Sequence, residues 1–440
     1  MSKNIVSSHS RPGIRIIPSG RASILATIAK KAVYAHLAKI IRGQITLISN
    51  GKRRVYGETG PSVKLRATVT VHDSAFYTDM AFGGSIGAAE AYMAGFWSAD
   101  DLTALMRIMV LNRKVLMGVE KGFARLMAPL HRVLHALRKN TRDGSRKNIA
   151  AHYDLGNDFY ALFLDQTMTY SCNIFEREDT TLEEAAIAKY DHICRKLQLG
   201  PHDHVLEIGS GWGGFAIHAA KNYGCRVTTT TISRQQHDLA GERIGKAGLS
   251  SRVELLFEDY RDLKGKFDKL VSIEMIEAVG HHFLDTYFKV CSNLLKDDGM
   301  MALQAITITD QFYDGQVRSP DFIKRYIFPG SFIPSVSAIT SAVARATDMN
   351  LFHLEDITPH YARTLRTWRE RFFNRIDNVR KLGYPESFIR MWEYYFCYCE
   401  GGFLERYIGD VQMIFTKPDC RPAPIPSPRL ESKGLKDKED

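Results

Sequence analysis

The sequence predicts an α/β protein in which a doubly wound parallel sheet follows a smaller α+β domain. Three observations predict this fold: strands and helices alternate from residue 183 onward, a glycine-rich turn directly follows an apolar strand, and the first part of the chain has period-two apolar spacing. The chain has 440 residues, of which 45% are hydrophobic and 25% are charged. This composition is typical of a globular protein, and it excludes a collagen-like, coiled-coil or disordered chain.

The second half of the chain carries the alternating elements. We predict helices at 183–197, 213–222, 234–247 and 283–295, and strands at 204–208, 226–232, 253–257, 268–274 and 300–306. A late strand at 411–416 completes the sheet. Because strand–helix–strand order makes consecutive strands parallel, the pattern predicts one sheet with helices on both faces.

The first part of the chain predicts a separate small domain. A short amphipathic helix at 23–42, a β-rich stretch at 44–72 and a helix around 86–94 give an α+β domain at 23–112. We expect a flexible basic arm at 1–22 before this domain and a basic helical linker that ends in a hinge at 113–147 after it. The main domain then covers 148–416, and a disordered tail covers 417–440.

Charge is distributed unevenly along the chain. Residues 1–150 contain 24 Lys and Arg against 8 Asp and Glu, a net charge of +16, whereas the remainder has a net charge of −6. A basic N-terminal part followed by an acidic remainder indicates that the N-terminal part has an anionic partner, either a membrane surface or a nucleic acid. Since the sequence carries no recognised nucleic-acid motif, we expect an anionic bilayer and no nucleic acid.

The cysteines and the chain's hydropathy indicate the compartment. Seven cysteines, with no CxxC pair, argue against a disulfide framework and against structural zinc, and we see no ligand set for any other metal. No run of about 18 apolar residues and no secretory signal are present. We therefore expect a cytoplasmic protein, peripherally associated with the inner face of the membrane.

The most informative motif is the glycine turn GSGWGG at 209–214, between an apolar strand and a helix. Glycine lets backbone amides approach a ligand closely, and a helix N-terminus favours electron-rich groups, so the turn predicts a nucleotide-type cofactor. A dinucleotide-binding fold usually has an acidic residue at the end of its second strand, and this chain has none there. A P-loop is excluded because no GK[ST] sequence follows the glycines. Glu207 precedes the turn and suits the cationic end of S-adenosylmethionine, while Glu258–Asp259 could read its adenine. We favour a Rossmann-like S-adenosylmethionine methyltransferase over a dinucleotide enzyme.

Several longer motifs resemble the cyclopropane-fatty-acyl-phospholipid synthase family. They are HYDLGNDFY (152–160), MTYSC (168–172), LEIGSGWGGFA (206–216), SIEMIEAVG (272–280), DFIKRYIFPG (321–330), HYARTLRTW (360–368) and WEYYFCYCEGGF (392–403). The resemblance covers about 148–416, and residues 44–102 resemble the N-terminal domain of longer members. It implies methylene transfer from S-adenosylmethionine to a cis double bond of a phospholipid acyl chain, and members of the family often form homodimers.

The resemblance also assigns site residues. The cofactor contacts that it implies are Tyr170, Ser171, Gly209, Gly211, Thr231, Gln236, Asp259 and Tyr260. Glu207 before the turn and Gly213 within it complete the set of predicted cofactor residues. Cys172, Glu277, Ile306 and Tyr361 match positions that surround a bound bicarbonate, and Cys399 matches a cysteine often assigned as catalytic. Gln304 stands where many members carry a histidine, and Gln cannot become cationic. Bicarbonate binding, or the identity of the base, is therefore open here.

The reaction itself limits the roles of these residues. Attack of a double bond on a sulfonium methyl group leaves a carbocation, so the site must exclude water and stabilise the positive charge. The candidates for this stabilisation are the aromatic rings of Tyr153, Phe159, Tyr160, Tyr170, Trp212 and Phe328. A base must then take a proton from the new methyl group: bicarbonate held by Glu277, Tyr361, the Cys172 amide and Gln304, or Glu277 itself. Glu274 is either a neighbour of this base or a structural acceptor. No step needs a thiolate, so we expect Cys399 to line the lipid slot.

The segment 321–334 is apolar with Lys324 and Arg325 beside it, which suits a lid that touches lipid. Three other functions stay open: a lipid methyltransferase with a methyl- or methylene-branched product, a small-molecule N-methyltransferase, and a nonenzymatic lipid or nucleic-acid binder. The basic N-terminal part argues against the second, and the glycine turn argues against the third.

Overall fold

The computed structural model describes residues 19–113 and 155–425. These residues fall into two compact units, the first within Met1–Asp100 and Asn112–Met127 and the second within Asp101–Leu111 and Ala128–Asp440. Most of the predicted arm, nearly all of the predicted linker and the end of the predicted tail lie outside the described residues, as does Tyr153. Within the described ranges, no helix is both long enough and apolar enough to cross a membrane.

The first unit is a small α+β fold, as predicted. Its elements are α1 (Ser19–Leu37), β1 (Gln44–Ser49), β2 (Lys52–Gly57), β3 (Arg66–Val71), α2 (Ala75–Met93) and β4 (Trp97–Ala99). The strands form one sheet in the order β2-β1-β3-β4, in which β1 and β3 are parallel. The predicted helix at 86–94 is the second half of α2, whose backbone is kinked at Gly84, where φ is 60°.

The second unit contains the large sheet. Its helices are α3 (Leu102–Leu111), α4 (Asn157–Tyr160), α5 (Leu182–Lys196), α6 (Gly214–Tyr223), α7 (Arg234–Lys246), α8 (Leu284–Leu294), α9 (Asp310–Arg318), α10 (Val336–Ala346), α11 (Thr358–Asn374), α12 (Ile376–Lys381) and α13 (Glu386–Leu404). Its strands are β5 (His204–Ile208), β6 (Arg226–Thr230), β7 (Val253–Leu256), β8 (Phe267–Ile273), β9 (Leu295–Ile308), β10 (Asn350–Asp356) and β11 (Ile408–Thr416).

Seven strands form this sheet in the order β10-β11-β9-β8-β5-β6-β7. Strands β5 to β9 are parallel, whereas β11 and β10 join antiparallel at one edge. The chain moves outward from β5 to β7 and then returns to β8 on the other side of β5. The carboxyl ends of β5 and β8 therefore flank the topological switch point, which is where open α/β sheets bind their ligands.

This architecture confirms the predicted doubly wound sheet and adds an edge strand to it. The edge strand β10 lies in a stretch for which the sequence predicted no element. Helix α3 falls inside the predicted 23–112 domain, yet it groups with the second unit. The reason is close packing on α13: a Cβ at Gly401 would lie 2.8 Å from Met106 Cβ, and Thr103 Oγ1 donates a 3.0 Å hydrogen bond to buried Glu400.

The start of the predicted tail is held against the sheet. Lys417 is buried, and its ammonium group donates to both carboxylate oxygens of Asp348 and to Ser292. The backbone amide of Lys417 also donates to Gly299 O at 3.0 Å. Order in the described residues thus continues past the predicted boundary at 416.

Candidate active site

The glycine turn follows β5 directly and adopts a backbone that favours glycine. The φ angles of Gly209, Gly211 and Gly213 are 98°, 49° and 85°, all in the left-handed region. A Cβ at Gly209 would lie 3.2 Å from the Met275 side chain, whereas a Cβ at Gly211 would meet nothing within 4 Å. The turn is thus packed on one side and open on the other, so the residues present fit a cofactor that lies across it.

The end of β6 lies beside the turn. The amides of Gly209 and Ser210 both donate to Thr230 O, at 3.1 and 2.9 Å. One residue later, Thr231 Oγ1 donates to Gln236 Oε1 at 2.9 Å, which ties the strand to α7. The structure therefore places the predicted cofactor residues Thr231 and Gln236 together, at the same edge of the sheet as the turn.

Glu207 is tied into the sheet. It is 2% exposed, and Thr229 Oγ1, its register partner on β6, donates to Glu207 Oε2 at 2.6 Å. Burial raises the pKa of this carboxyl to about 8, so the carboxyl is mostly protonated at pH 7. A bound cation would reverse this shift, which fits the role predicted for Glu207.

Asp259 and Tyr260 follow β7. Both oxygens of Asp259 accept bonds from the Arg261 guanidinium, at 2.8 and 2.6 Å, and Tyr260 begins the short helix Tyr260–Asp262. The Asp259 carboxylate is therefore already held in one orientation. Arg261 was not predicted from the sequence, although it lies two residues after the acid Asp259, which follows a strand.

Tyr170 and Ser171 lie in an extended segment beside α5. Ser171 Oγ accepts a 2.7 Å bond from Lys189 Nζ, and Tyr170 donates to the Tyr395 hydroxyl at 3.2 Å. Lys189 is completely buried, and burial lowers its pKa to about 8. A buried lysine on an apparently ordinary amphipathic helix gave no signal in the sequence.

The predicted aromatic residues that the structure describes form one connected cluster. The Tyr160 ring lies 5.3 Å from that of Tyr170 and 5.2 Å from that of Trp212. The Phe159 ring lies 5.6 Å from that of Tyr160, and the Phe328 ring lies 6.2 Å from that of Tyr170. Trp212 belongs to the glycine turn itself, so the cluster connects the cofactor turn with the segment 321–334.

A carboxylate that the sequence left ambiguous lies at the centre of the second part of the site. Glu274 directly follows β8, and its Oε1 accepts bonds from the Cys172 amide and from Gln304 Nε2, both at 2.8 Å. Its Oε2 accepts a 2.6 Å bond from the Tyr361 hydroxyl. These three donors are groups predicted to hold bicarbonate, and a side chain of the protein occupies them. A bicarbonate ion would bind the same donors only if Glu274 withdrew, so the residues present do not fit it.

The predicted base Glu277 lies next to this carboxylate. Its Oε1 accepts a 2.6 Å bond from the Ile306 amide, while its Oε2 is buried with no hydrogen-bond partner within the described residues. Burial, and then the negative charge of Glu274, raise the pKa of Glu277 to about 8. Glu277 is therefore mostly neutral at pH 7, and its free oxygen is available to a ligand.

Two predicted cysteines have different surroundings. Cys172 contributes its backbone amide, and burial together with nearby Asp410 and Glu274 raises the pKa of its thiol well above the ordinary value. Cys399 lies on α13, and burial, followed by Asp321 and Cys397, raises the pKa of its thiol too. Both groups are therefore neutral thiols at neutral pH, and all seven cysteines are free.

One expectation about the lid segment is wrong. Lys324 is 2% exposed, and its ammonium group donates to the backbone oxygens of Gln316 and Ser319. It lies in a π-helical turn, Ile323–Ile327. Lys324 therefore holds this segment together and cannot face an anionic lipid.

Comparison with known proteins identifies a matching family and similar relatives. The family model for mycolic acid cyclopropane synthetase matches residues 140–413. Tuberculostearic acid methyltransferase UfaA1 of Mycobacterium tuberculosis is 40% identical over 332 residues, covering 74% of this chain and 77% of that protein. Cyclopropane-fatty-acyl-phospholipid synthase of Escherichia coli is 36% identical over 353 residues, covering 80% and 88%. The solved mycolic acid cyclopropane synthase CmaA1, complexed with SAH and CTAB, has a TM-score of 0.58 and 31% identity, covering 62% of this chain and 98% of that one.

The sheet and its glycine turn, with these matches, define an S-adenosylmethionine-dependent methyltransferase. The matches cover well over half of the chain in both the family model and the relatives. The chain belongs to the mycolic acid cyclopropane synthetase family.

Proposed function

We propose that the protein transfers a methylene group from S-adenosylmethionine to a cis double bond of an unsaturated phospholipid acyl chain, and that it closes a cyclopropane ring. The observation that carries this function is the arrangement at the switch point of the sheet. There a cofactor turn, an aromatic cluster and a buried carboxyl cluster lie together. The name of the Escherichia coli relative, cyclopropane-fatty-acyl-phospholipid synthase, supports the same reaction.

The chain's residues supply what this reaction needs. When bound, S-adenosylmethionine supplies an electrophilic methyl group, and the electron pair of its carbon–sulfur bond stays on sulfur. The alkene electron pair forms the new carbon–carbon bond, and a cation remains on the acyl chain. The rings of Tyr160, Tyr170 and Trp212 can lower the energy of that cation, since a cation over an aromatic face gains about 0.5–2 kcal/mol. These rings, with Phe328, also keep water from trapping it.

The N-terminal part of the chain supports docking on an anionic bilayer. Residues 1–150 have a net charge of +16, and the edge strand β2 begins with three exposed basic residues, Lys52, Arg53 and Arg54. Each basic residue near an anionic surface contributes about 1 kcal/mol. Peripheral binding at the inner face of the membrane and a homodimer are both predictions that follow from charge and family resemblance.

A product with a methyl or methylene branch is the second candidate function. One observation favours it: the 40% identical relative is named a tuberculostearic acid methyltransferase. The position of the cation and the proton that the base removes decide the product. Loss of a proton from the new methyl group, with the cation on the neighbouring carbon, closes a ring, whereas loss from a chain carbon leaves a methyl-branched alkene. A methylene branch requires that a hydride first moves from the methylated carbon to the cation, after which the methyl group loses a proton.

Incubation of purified protein with S-adenosylmethionine and anionic phospholipid vesicles tests the proposal. Vesicles with cis-unsaturated chains should yield acyl chains heavier by one CH₂ group, and vesicles with saturated chains are the matched control. The proposal fails if no unsaturated phospholipid gives a heavier chain while calorimetry shows that the protein still binds S-adenosylhomocysteine.

A further inference from the structure

We propose that Glu274 is the catalytic base, and that its carboxylate takes the place of a bound bicarbonate ion. This inference rests on the proposed one-carbon transfer to an acyl double bond. It changes the expected mechanism in one respect: the proton acceptor belongs to the chain, so the enzyme should work without any dissolved anion.

The first support is the set of donors around the carboxylate. The Cys172 amide, Gln304 Nε2 and the Tyr361 hydroxyl come from three separate segments and all point at Glu274, over 2.6 to 2.8 Å. Such a convergence is what a small planar anion requires, and the two oxygens of a carboxylate can take the positions of two of the three oxygens of bicarbonate. Two anions in contact with each other would repel, so Glu274 and bicarbonate cannot both use these donors.

The second support is the backbone of Glu274. Its φ is 49°, in the left-handed region where glycine is favoured and where other residues carry a cost of roughly 1–2 kcal/mol. The Glu274 amide is held there by a 2.8 Å bond to Gln304 O. Backbone strain of this kind persists at functional sites because the surroundings fix it. Here it turns the glutamate side chain away from the strand direction and into the donor set.

The third support is a chain of hydrogen bonds that fixes the orientation of Gln304. Lys196 is an obligate donor, and it binds Gln412 Oε1. The Gln412 amide nitrogen must then donate to Gln304 Oε1, at 3.0 Å, which leaves the Gln304 nitrogen facing Glu274. A neutral glutamine with this fixed orientation is suited to a carboxylate that belongs to the chain.

Charges around the cluster favour Glu274 over Glu277 as proton acceptor. Buried Lys189 interacts electrostatically with Glu274 and offsets its negative charge. Burial, followed by the charge of Glu274, raises the pKa of Asp410 well above its ordinary value, which favours the neutral form of that carboxyl group. Glu277 is mostly protonated at pH 7 as well, since its pKa is about 8. Among these three acids, Glu274 is the one whose two oxygens accept hydrogen bonds from three donors.

The proton step balances within these groups. After the alkene has taken the methyl group, a C–H bond of that methyl group breaks, and its proton binds to Glu274. The electron pair of the broken bond forms the third side of the ring and neutralises the cation. Glu274 becomes a neutral acid beside Asp410 and Tyr361, and it returns to the carboxylate when the proton passes to water.

Activity measured with and without bicarbonate tests this inference. The wild-type enzyme should turn over equally fast in CO₂-depleted buffer and in buffer with added sodium bicarbonate, with sodium chloride as the ionic control. Glu274→Gln should lower kcat by about 10²- to 10⁴-fold, the usual contribution of a general base. Glu274→Gly relieves the backbone strain and empties the anion position, so bicarbonate should raise its rate at least about tenfold while chloride should not. Glu277→Gln is the matched control, and bicarbonate should not rescue it.

Three results would overturn the inference: bicarbonate dependence of the wild-type enzyme, more than a tenth of wild-type kcat in Glu274→Gln, or no bicarbonate rescue of Glu274→Gly. Calorimetry with S-adenosylhomocysteine should give the wild-type affinity within twofold for both Glu274 variants, which separates a lost base from a damaged fold. If wild-type enzyme modified no unsaturated lipid in either buffer, the proposed function itself would fail, and that result is distinct from any of the three.

Discussion

Replacing Tyr361 by Phe removes one donor from the Glu274 carboxylate and keeps the ring in place. The hydroxyl lies 2.6 Å from Glu274 Oε2, and the ring stacks on Phe403 with a centroid distance of 4.4 Å. The side chain is 5% exposed, so bulk water cannot readily replace the lost hydroxyl. Burial and then the charge of Glu274 raise the pKa of this phenol well above its ordinary value, so it remains a donor throughout the usable pH range.

The expected effect follows from the charge on the acceptor. A hydrogen bond to a charged group contributes about 1.5–3 kcal/mol, and each 1.4 kcal/mol or so of activation free energy changes the rate about tenfold. If the bond orients the base in the transition state, kcat for Tyr361→Phe should fall by about 10- to 150-fold. The KM for lipid and the affinity for S-adenosylhomocysteine should change little, because the hydroxyl donates its proton to Glu274.

Initial rates on unsaturated vesicles, thermal unfolding and calorimetry together test this prediction. Tyr287→Phe is a matched control, since it removes an equally buried phenol hydroxyl that belongs to the apolar core around α8. That control should keep the wild-type kcat. A Tyr361→Phe enzyme that is destabilised but retains kcat within twofold of wild type would refute the reasoning, because the hydroxyl would then only support the fold.

Three further predictions concern the cofactor turn and the basic surface. Gly209→Ala should weaken S-adenosylhomocysteine binding at least about tenfold by calorimetry, since the new Cβ would lie 3.2 Å from Met275 at a φ of 98°; unchanged affinity would remove the turn from the site. Affinity for S-adenosylmethionine should rise with pH up to about 8, and binding should release a proton, because the bound cation favours the ionised form of Glu207, whose pKa in the free protein is raised to about 8. Calorimetry in buffers of different ionisation enthalpy measures this proton release. The absence of release would show that Glu207 does not contact the cofactor. Added salt, or the substitution Arg53→Glu, should weaken binding to anionic vesicles in a sedimentation assay. The control Lys246→Glu, at an exposed position of α7, should weaken that binding less. Salt-independent binding would contradict electrostatic docking.

Much of the fold was predictable because its signals are local. The strand at 204–208 is a short apolar run that ends in glycines, and β5 has the same limits. Thr181 and Glu184 form a capping box, so α5 begins within one residue of the predicted start. The strand β10 was missed because it is an exposed edge strand in which Leu351 and Leu354 face solvent, so it lacks the apolar alternation of a half-buried strand.

The candidate site was predictable in its parts but not in its arrangement. The sequence indicated that Cys172, Gln304 and Tyr361 meet, and the structure brings their donors together. It could not show that Glu274 would occupy them, because that depends on one left-handed residue at a strand end. Similarly, nothing local distinguishes buried Lys189 from the solvated lysines of an amphipathic helix, since only tertiary packing removes it from water.

NMR of the product formed with S-adenosylmethionine labelled with ¹³C in its methyl group tests the proposed reaction most directly. We predict that the label is found in an acyl chain as a CH₂ carbon whose two protons resonate in the shielded cyclopropyl region. A labelled CH₃ or vinylidene carbon of the same product mass would contradict ring closure and would identify a branched chain as the product instead.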